Sequence, residues 1–290
     1  MRKRKNVEDI ILDGIIYIVL ILLALVTFYP MWYVLVASFS SGAHIAAKGG
    51  LLLWPGGFNI EAYKLTFAHP LLVRSFCNSI AVLVLALPIN IFLTVLCGYF
   101  MASTGMVWKK YITGIIMFTM FFSGGLIPKF LNVQDLGLYN SIWALVLPGA
   151  MSVYNAIICK TAIEAIPYSL TESAYIDGAN DFSVLYKIIL PLMKPTIAVL
   201  LLYYGVGHWN SWFSASIYIK DAEKMPIQNI LRAVLISNTM LTESFGDSYN
   251  AYADAMQYAA IVIITVPIMC VYPFLQKHFT KGVMIGAVKG

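Results

Sequence analysis

Few side chains in this 290-residue chain could do chemistry, and their types narrow what that chemistry is. The four histidines, His44, His69, His208 and His278, are scattered, and no HExxH or GxSxG arrangement occurs. A metal-dependent hydrolase or a nucleophile with its base therefore has no residues to stand on. Cys77, Cys97, Cys159 and Cys270 lie in or beside apolar segments without CxxC spacing, which argues against a zinc site and a disulfide framework. What does concentrate is Tyr203, Tyr204, His208, Trp209, Asn210 and Trp212, a mixture of ring faces and neutral hydrogen-bonding groups inside one apolar run. Asn155 and Tyr154 sit in the run before it. A histidine at membrane depth is a functional hypothesis by default, whereas Trp209 and Trp212 also fit an aromatic belt at the headgroups.

A second concentration lies between Thr161 and Lys194, about thirty residues too polar to span a membrane and too apolar for a linker. Ser169 and Glu172 have capping-box spacing, and Gly178 follows where a left-handed residue would end a short helix. Asn180 or Asp181 can cap a second helix through Phe182, Leu185 and Ile189, with Pro191 to stop it. The pattern predicts a stiff elbow presenting Leu170, Ala174, Tyr175 and Ile176. Such a knob suits docking into a groove of another protein, and an amphipathic stretch lying flat on a bilayer fits the same pattern.

The elements that must position these groups are set by composition. The chain is 60% hydrophobic and 11% charged, with a mean hydropathy of +0.79. Soluble domains are about half apolar and about a quarter charged, so lipid must solvate the remainder. Six apolar stretches are long enough to cross a bilayer: about 15–39, 78–102, 111–128, 141–159, 195–217 and 255–276. The third holds Ser123-Gly124-Gly125 before Pro128, which predicts a break, and Pro88, Pro267 and Pro273 predict kinks elsewhere. Arg2, Lys3, Arg4, Lys5, Lys109, Lys110, Lys160, Lys187, Lys194, Lys277, Lys281 and Lys289 fall on one side of such a six-span arrangement, twelve of nineteen basic residues. That side is expected to be cytoplasmic and to hold both termini. The net charge of +5 thus reads as a topology signal and not as a nucleic-acid patch. The first apolar run is longer than a signal-peptide h-region and is expected to be retained. Two long external segments follow, Ser40–Cys77 with the Trp54-Pro55-Gly56-Gly57 turn and a possible Asn59 cap, and Tyr218–Asp254, acidic through Asp221, Glu223, Glu243, Asp247 and Asp254. Both are expected either to touch an external partner or to pack over the bundle, the second being polar enough to be solvated.

Glu172-Ser173-Ala174, with Gly178 six positions after the glutamate and Ile188, Leu190 and Pro191 closing the stretch, resembles the EAA signature of permease subunits in bacterial binding-protein-dependent ABC importers. Ser173 departs from the usual alanine but is as compact. Trp54-Pro55 with Glu61-Ala62-Tyr63, the run from Phe121 to Pro128, Gly207-His208-Trp209-Asn210-Ser211-Trp212 and the tail Lys281–Gly290 are similar to the maltose-type carbohydrate branch, within it the subgroup serving complex oligosaccharides.

The resemblance implies an all-α membrane protein of the type I importer permease fold, a single permease domain of six transmembrane helices in the bacterial cell membrane. Leu170, Glu172, Ser173, Ala174, Tyr175, Ile176, Asp177, Gly178, Leu190 and Pro191 would form the cytoplasmic coupling helix and its surroundings, between the fourth and fifth spans. It implies three kinds of partner besides lipid: a second homologous permease, two ATP-binding cassette subunits that hold ATP and Mg, and an extracytoplasmic sugar-binding protein. No cofactor is expected on this chain, which carries no G-x-x-x-x-G-K-[ST] loop, and no nucleic acid is expected. Sugars present hydroxyls and weakly apolar ring faces, so Tyr203, Tyr204, His208, Trp209, Asn210, Trp212 and Asn155 are the residues expected along the path. The tail would either tuck against the ATPases or remain unstructured. An ATP-independent carrier or channel is the alternative, and it would need intramembrane acids or bases that the spans scarcely contain. Arg74 and Lys129 are expected at the outer rim, where either could attract an acidic sugar, although rim cations are common and no pattern in the sequence separates a neutral sugar from a uronate.

Overall fold

The computed structural model describes residues 7–68, 70–236, 254–270 and 273. Among them all regular structure is helical: α1 (Val7–Ser38), α2 (Gly42–Lys48), α3 (Glu61–Ala68), α4 (Pro70–Ala102), α5 (Lys109–Phe121), α6 (Leu126–Asp135), α7 (Trp143–Val146), α8 (Val153–Glu164), α9 (Tyr168–Ile176), α10 (Asp181–Val184), α11 (Leu190–Leu192), α12 (Lys194–Trp209), α13 (Trp212–Tyr218), α14 (Ile227–Ile236) and α15 (Asp254–Cys270). Among the described residues only α1 and α4 are long and apolar enough to cross a bilayer unbroken. Two further crossings qualify as bent pairs, α5 with α6 at 113° and Asp181–Leu192 with α12 at 82°. The tail Lys281–Gly290, the end of the last apolar stretch from 274 onward, both basic termini, Glu243, Asp247, His69 and His278 lie outside the described residues.

Two compact units divide the chain. In the first, made of residues up to Pro70 and of the stretch from Leu231 to Thr265, α1 leaves its apolar surface exposed along most of its length. Its end is tied to the following loop: Tyr29 Oη donates to Gly50 O at 2.6 Å and accepts Leu52 N–H at 3.1 Å, and Trp32 Nε1–H donates to Leu53 O at 3.0 Å. Asn59 Oδ1 accepts Glu61 N–H at 2.7 Å and so caps α3, as its spacing predicts. Phe39 stacks between Phe58 and Tyr63, and Ser38 Oγ meets Tyr63 Oη at 2.7 Å.

In the second unit, from Leu71 to Ile230 and from Val266 on, α4 is the spine. Its buried positions include Ser75, Ser79, Val82, Ala86, Asn90, Thr94 and Gly98, a stripe of small and polar residues every three or four positions. Small residues let helices approach closely where lipid supplies no hydrophobic drive. At Gly98 the approach is extreme, because a Cβ there would stand 2.7 Å from Cys159 Sγ and 2.8 Å from Cys159 Cβ on α8.

Several expected elements differ. The second span begins at Pro70, eight residues early, so Arg74 and Cys77 belong to α4 and not to an external loop. The stretch 141–159 is not one helix. Pro148 lacks an N–H to continue α7, and Ser152 in extended conformation restarts the chain as the N-cap of α8, accepting Asn155 N–H at 3.4 Å. The third span breaks where Ser123-Gly124-Gly125 predicts, at Gly125 with φ +88°, which disfavours any side chain. The fifth breaks at Asn210 and Ser211 before α13. The segment after Tyr218 is not simply a solvated loop: it carries α14, whose Ile227 and Ile230 are buried and whose Ile227 N–H donates to Ser79 Oγ at 2.9 Å.

Candidate functional site

Freed backbone groups at the α7–α8 break must find partners, and buried polar side chains of α4 and α12 supply them. Asn90, 0% exposed, donates from Nδ2 to Gly149 O at 3.1 Å and Ala150 O at 2.8 Å. Two carbonyls on the amide nitrogen fix its flip, so Oδ1 faces His208 Nε2 at 2.9 Å and the imidazole is the donor there. In the neutral ring Nδ1 is then left as an acceptor. Tyr204 Oη accepts Ser152 N–H at 2.9 Å and shares a 2.6 Å bond with the buried Thr94 Oγ1.

Around this frame lies a cavity of about 730 Å³, a size ordinary for a small-molecule site. Tyr203, Tyr204, His208 and Asn155 line it, joined by Tyr154, Ser211, Ser214, Gly149, Ser152 and Lys129. Tyr154 and Tyr203 pair with ring centroids 6.5 Å apart. Asn155 is 5% exposed, yet its side-chain amide makes no hydrogen bond to any other described residue. The wall also contains no carboxylate among its described residues.

Three path residues expected from sequence are not in that wall. Trp209 falls on the opposite face of α12, buried edge-on against Phe76 at 5.8 Å and bordering an apolar groove with Leu83, Leu87 and Val206. A 3.6-residue turn separates the two faces: 203, 204, 207, 208 and 211 point one way, 202, 205, 206 and 209 the other. Asn210 ends α12 and accepts from Gln228 Nε2 at 3.3 Å, and Trp212 opens α13 against Phe213. Asn90 and Thr94 were missed by sequence reasoning, although the small-and-polar stripe of α4 was visible in the residue spacing. Of the two expected rim cations, Arg74 is paired with Glu223 at 2.9 Å.

The elbow also departs in detail. Ser169 and Glu172 do not form a capping box: α9 starts at Tyr168 behind Pro167, whose fixed φ and carbonyl, accepting Leu170 N–H at 3.1 Å, begin the helix two residues earlier. Gly178 does end α9 in the left-handed region, φ +81°, with Gly178 N–H to Tyr175 O and Ala179 N–H to Ala174 O at 3.0 and 2.9 Å, the paired bonds of a Schellman cap. Asn180 Oδ1 caps the next helix through Ser183 N–H at 2.9 Å. Pro191 does not stop that helix. A π-turn over Leu185–Ile189, closed by Leu190 N–H to Leu185 O, widens the backbone ahead of the proline ring, and the chain turns at Met193 instead. Leu170, Glu172, Ser173, Tyr175, Ile176, Asp177 and Gly178 are exposed, while Ala174 and Leu190 are half-buried against the core of Val95, Cys159, Ile163, Val184 and Ile189.

Tyr175 Oη donates to Asp181 Oδ1 at 2.7 Å, and Tyr99 Oη at the end of α4 lies 3.2 Å from Tyr175 Oη and 3.4 Å from the same carboxylate. The Asp181 carboxylate, then the Tyr99 hydroxyl, push the Tyr175 phenol well above the ordinary tyrosine range. A raised pKa means the contact is intact below the usual tyrosine pKa of about 10 and is lost only as pH climbs past it, so the latch does not titrate near neutrality. Tyr175→Phe is expected to speed amide exchange over 168–178 by about threefold to tenfold while exchange in α12 stays as it was, read by mass spectrometry.

Residues 65–285 match the family described as binding-protein-dependent transport system inner membrane component. The chain belongs to that family. The polygalacturonan/rhamnogalacturonan transport system permease protein YtcP of Bacillus subtilis is 38% identical over 281 residues, 96% of this chain and 98% of its own. Protein LplC of the same organism is 41% identical over 268 residues, 91% and 90% of the two chains. A chain of a bacterial ABC transporter involved in the import of the acidic polysaccharide alginate superposes with a TM-score of 0.90 at 30% identity, covering 95% of this permease and 99% of that chain. The permease therefore has the type I importer permease fold. Its cavity and its elbow both lie within the matched region.

Proposed function

We propose that this permease forms half of the pathway of an ATP-driven oligosaccharide importer, with six crossings, the four made by α1, α4 and the two bent pairs together with the α7–α8 stretch and α15, and with both termini in the cytoplasm. The observation that carries the reading is the cavity wall: a tyrosine pair, serine hydroxyls, an imidazole and an amide open to the cavity, without a carboxylate among the described lining residues. Ring faces stack on tyrosine, hydroxyls exchange hydrogen bonds with amide and imidazole, and an ion-coupled carrier would instead place acids at this depth. The polygalacturonan/rhamnogalacturonan transport of YtcP and the alginate import of the structural neighbour support a saccharide as cargo.

A second, homologous permease would complete the wall. Two ATP-binding cassette subunits, holding ATP and Mg, would receive α9 and its exposed Leu170 and Ile176. An extracytoplasmic sugar-binding protein would deliver the cargo. Closure of the ATPases would push on α9, and the Tyr99–Tyr175–Asp181 latch would pass that push to the end of α4, which carries Asn90 and Thr94 at the cavity. Alternating access follows from such a lever without any nucleotide on this chain.

The test is reconstitution of the chain with its partner permease, ATPases and binding protein in proteoliposomes, with uptake of radiolabelled oligosaccharide followed with and without ATP. Uptake is expected only with ATP and all partners present. Uptake by the permeases alone, without ATPases, would replace this reading with a carrier.

A further inference from the structure

We infer that the cavity takes an oligosaccharide bearing carboxylates and that Lys129 is the side chain that receives one of them. The inference rests on the importer reading and deepens it by assigning the cargo's charge. Among the fifteen described lining residues there is one lysine and no aspartate or glutamate. Lys129 stands in α6, brought to the wall by the chain reversal at Gly125, and it has no carboxylate partner among the described residues. Three other cations of the same unit are paired: Arg74 with Glu223 at 2.9 Å, Lys224 with Asp221 at 2.9 Å and Lys160 with Glu164 at 3.5 Å.

A second, independent feature points to a ligand. Asn155 is buried, lines the same cavity and leaves its amide unpartnered among the described residues. Its amide atoms are open to the cavity and not sealed in the core, so they can exchange hydrogen bonds with whatever fills the space. With the Tyr154–Tyr203 pair, the wall offers an aromatic platform for a ring, an amide for hydroxyls and an ammonium for a carboxylate. A uronate presents all three. A neutral sugar leaves the ammonium unused, and a cationic one meets uncompensated repulsion in a site from which water is partly excluded.

The experiment uses the complete importer in proteoliposomes and two probes of equal length, trigalacturonate and its fully methyl-esterified form. ATP-driven uptake is measured for native, Lys129→Gln and Lys129→Arg complexes. The same binding protein serves every arm, so its own preference cancels in each variant-to-native ratio. Lys129→Gln is expected to lower the ratio for trigalacturonate about tenfold more than for the ester, and Lys129→Arg to recover most of it. Equal losses for both probes, no change with either, or native uptake confined to the ester would overturn the assignment and leave the importer standing. Absence of ATP-driven uptake of both probes by the native complex would remove the importer reading for such sugars, and the assignment with it.

Discussion

Glu172→Lys is expected to strip the ATPase subunits from the purified complex and to bring ATP-driven uptake down about a hundredfold or more. Glu172 is exposed on α9 and makes no ion pair or hydrogen bond through its carboxylate to any described residue, so reversing its charge removes nothing that holds the fold. The helix that carries it is held from its other side, by the Schellman cap at Gly178, by Ala174 against the core and by the Tyr175–Asp181 bond. What the substitution changes is the charge offered to a partner. Reversal at a desolvated interface costs about 2–5 kcal/mol or more, because a matched group is left facing a like charge. Co-purification measures the association, and an unchanged melting temperature of the permease pair shows that the variant folded. ATPases retained by the variant at native yield would remove α9 from the docking surface.

Two buried asparagines are expected to part company, Asn155 in the cavity wall and Asn90, which bonds to the wall residues Gly149 and His208. Asn90→Leu keeps the volume but orphans Gly149 O, Ala150 O and His208 Nε2, at a cost of about 2–4 kcal/mol. A melting temperature lower by roughly 5–10 °C should result, since about 1 kcal/mol moves a domain of this size by roughly 2–4 °C. Asn155→Leu removes an amide that has no protein partner among the described residues, so the melt should hold or rise while uptake falls by about tenfold. Differential scanning fluorimetry and transport on the same preparations decide it. Equal thermal losses would mean that Asn155 is a structural residue and that the cavity wall has been misassigned.

The break at Ser123-Gly124-Gly125 and the left-handed Gly178 were legible because glycine conformations are local: a residue without Cβ marks the place where the chain must take positive φ. The Asn59 and Asn180 caps were legible for the same reason, a short side chain reaching a neighbouring N–H. The capping box at Ser169 was an overreading, since Pro167 two residues earlier already set the helix start. Hydropathy treated 141–159 as one span because it sums residues without regard to whether Pro148 leaves a carbonyl unpaired. Asn90 repairs that break from fifty-nine residues away, and no window of local sequence contains both.

By itself the sequence determined that the chain is helical and lipid-solvated, where glycine and short polar residues end its helices, and that Glu172 to Pro191 carries the EAA-like signature. Composition and local backbone chemistry are enough for those. Tertiary structure decided which face of α12 is polar wall and which is apolar groove, separating His208 from Trp209 one residue away. It also decided that Arg74 is neutralised and Lys129 is not, because an ion pair depends on which carboxylate folding brings within about 4 Å, a distance set by packing and not by order along the chain.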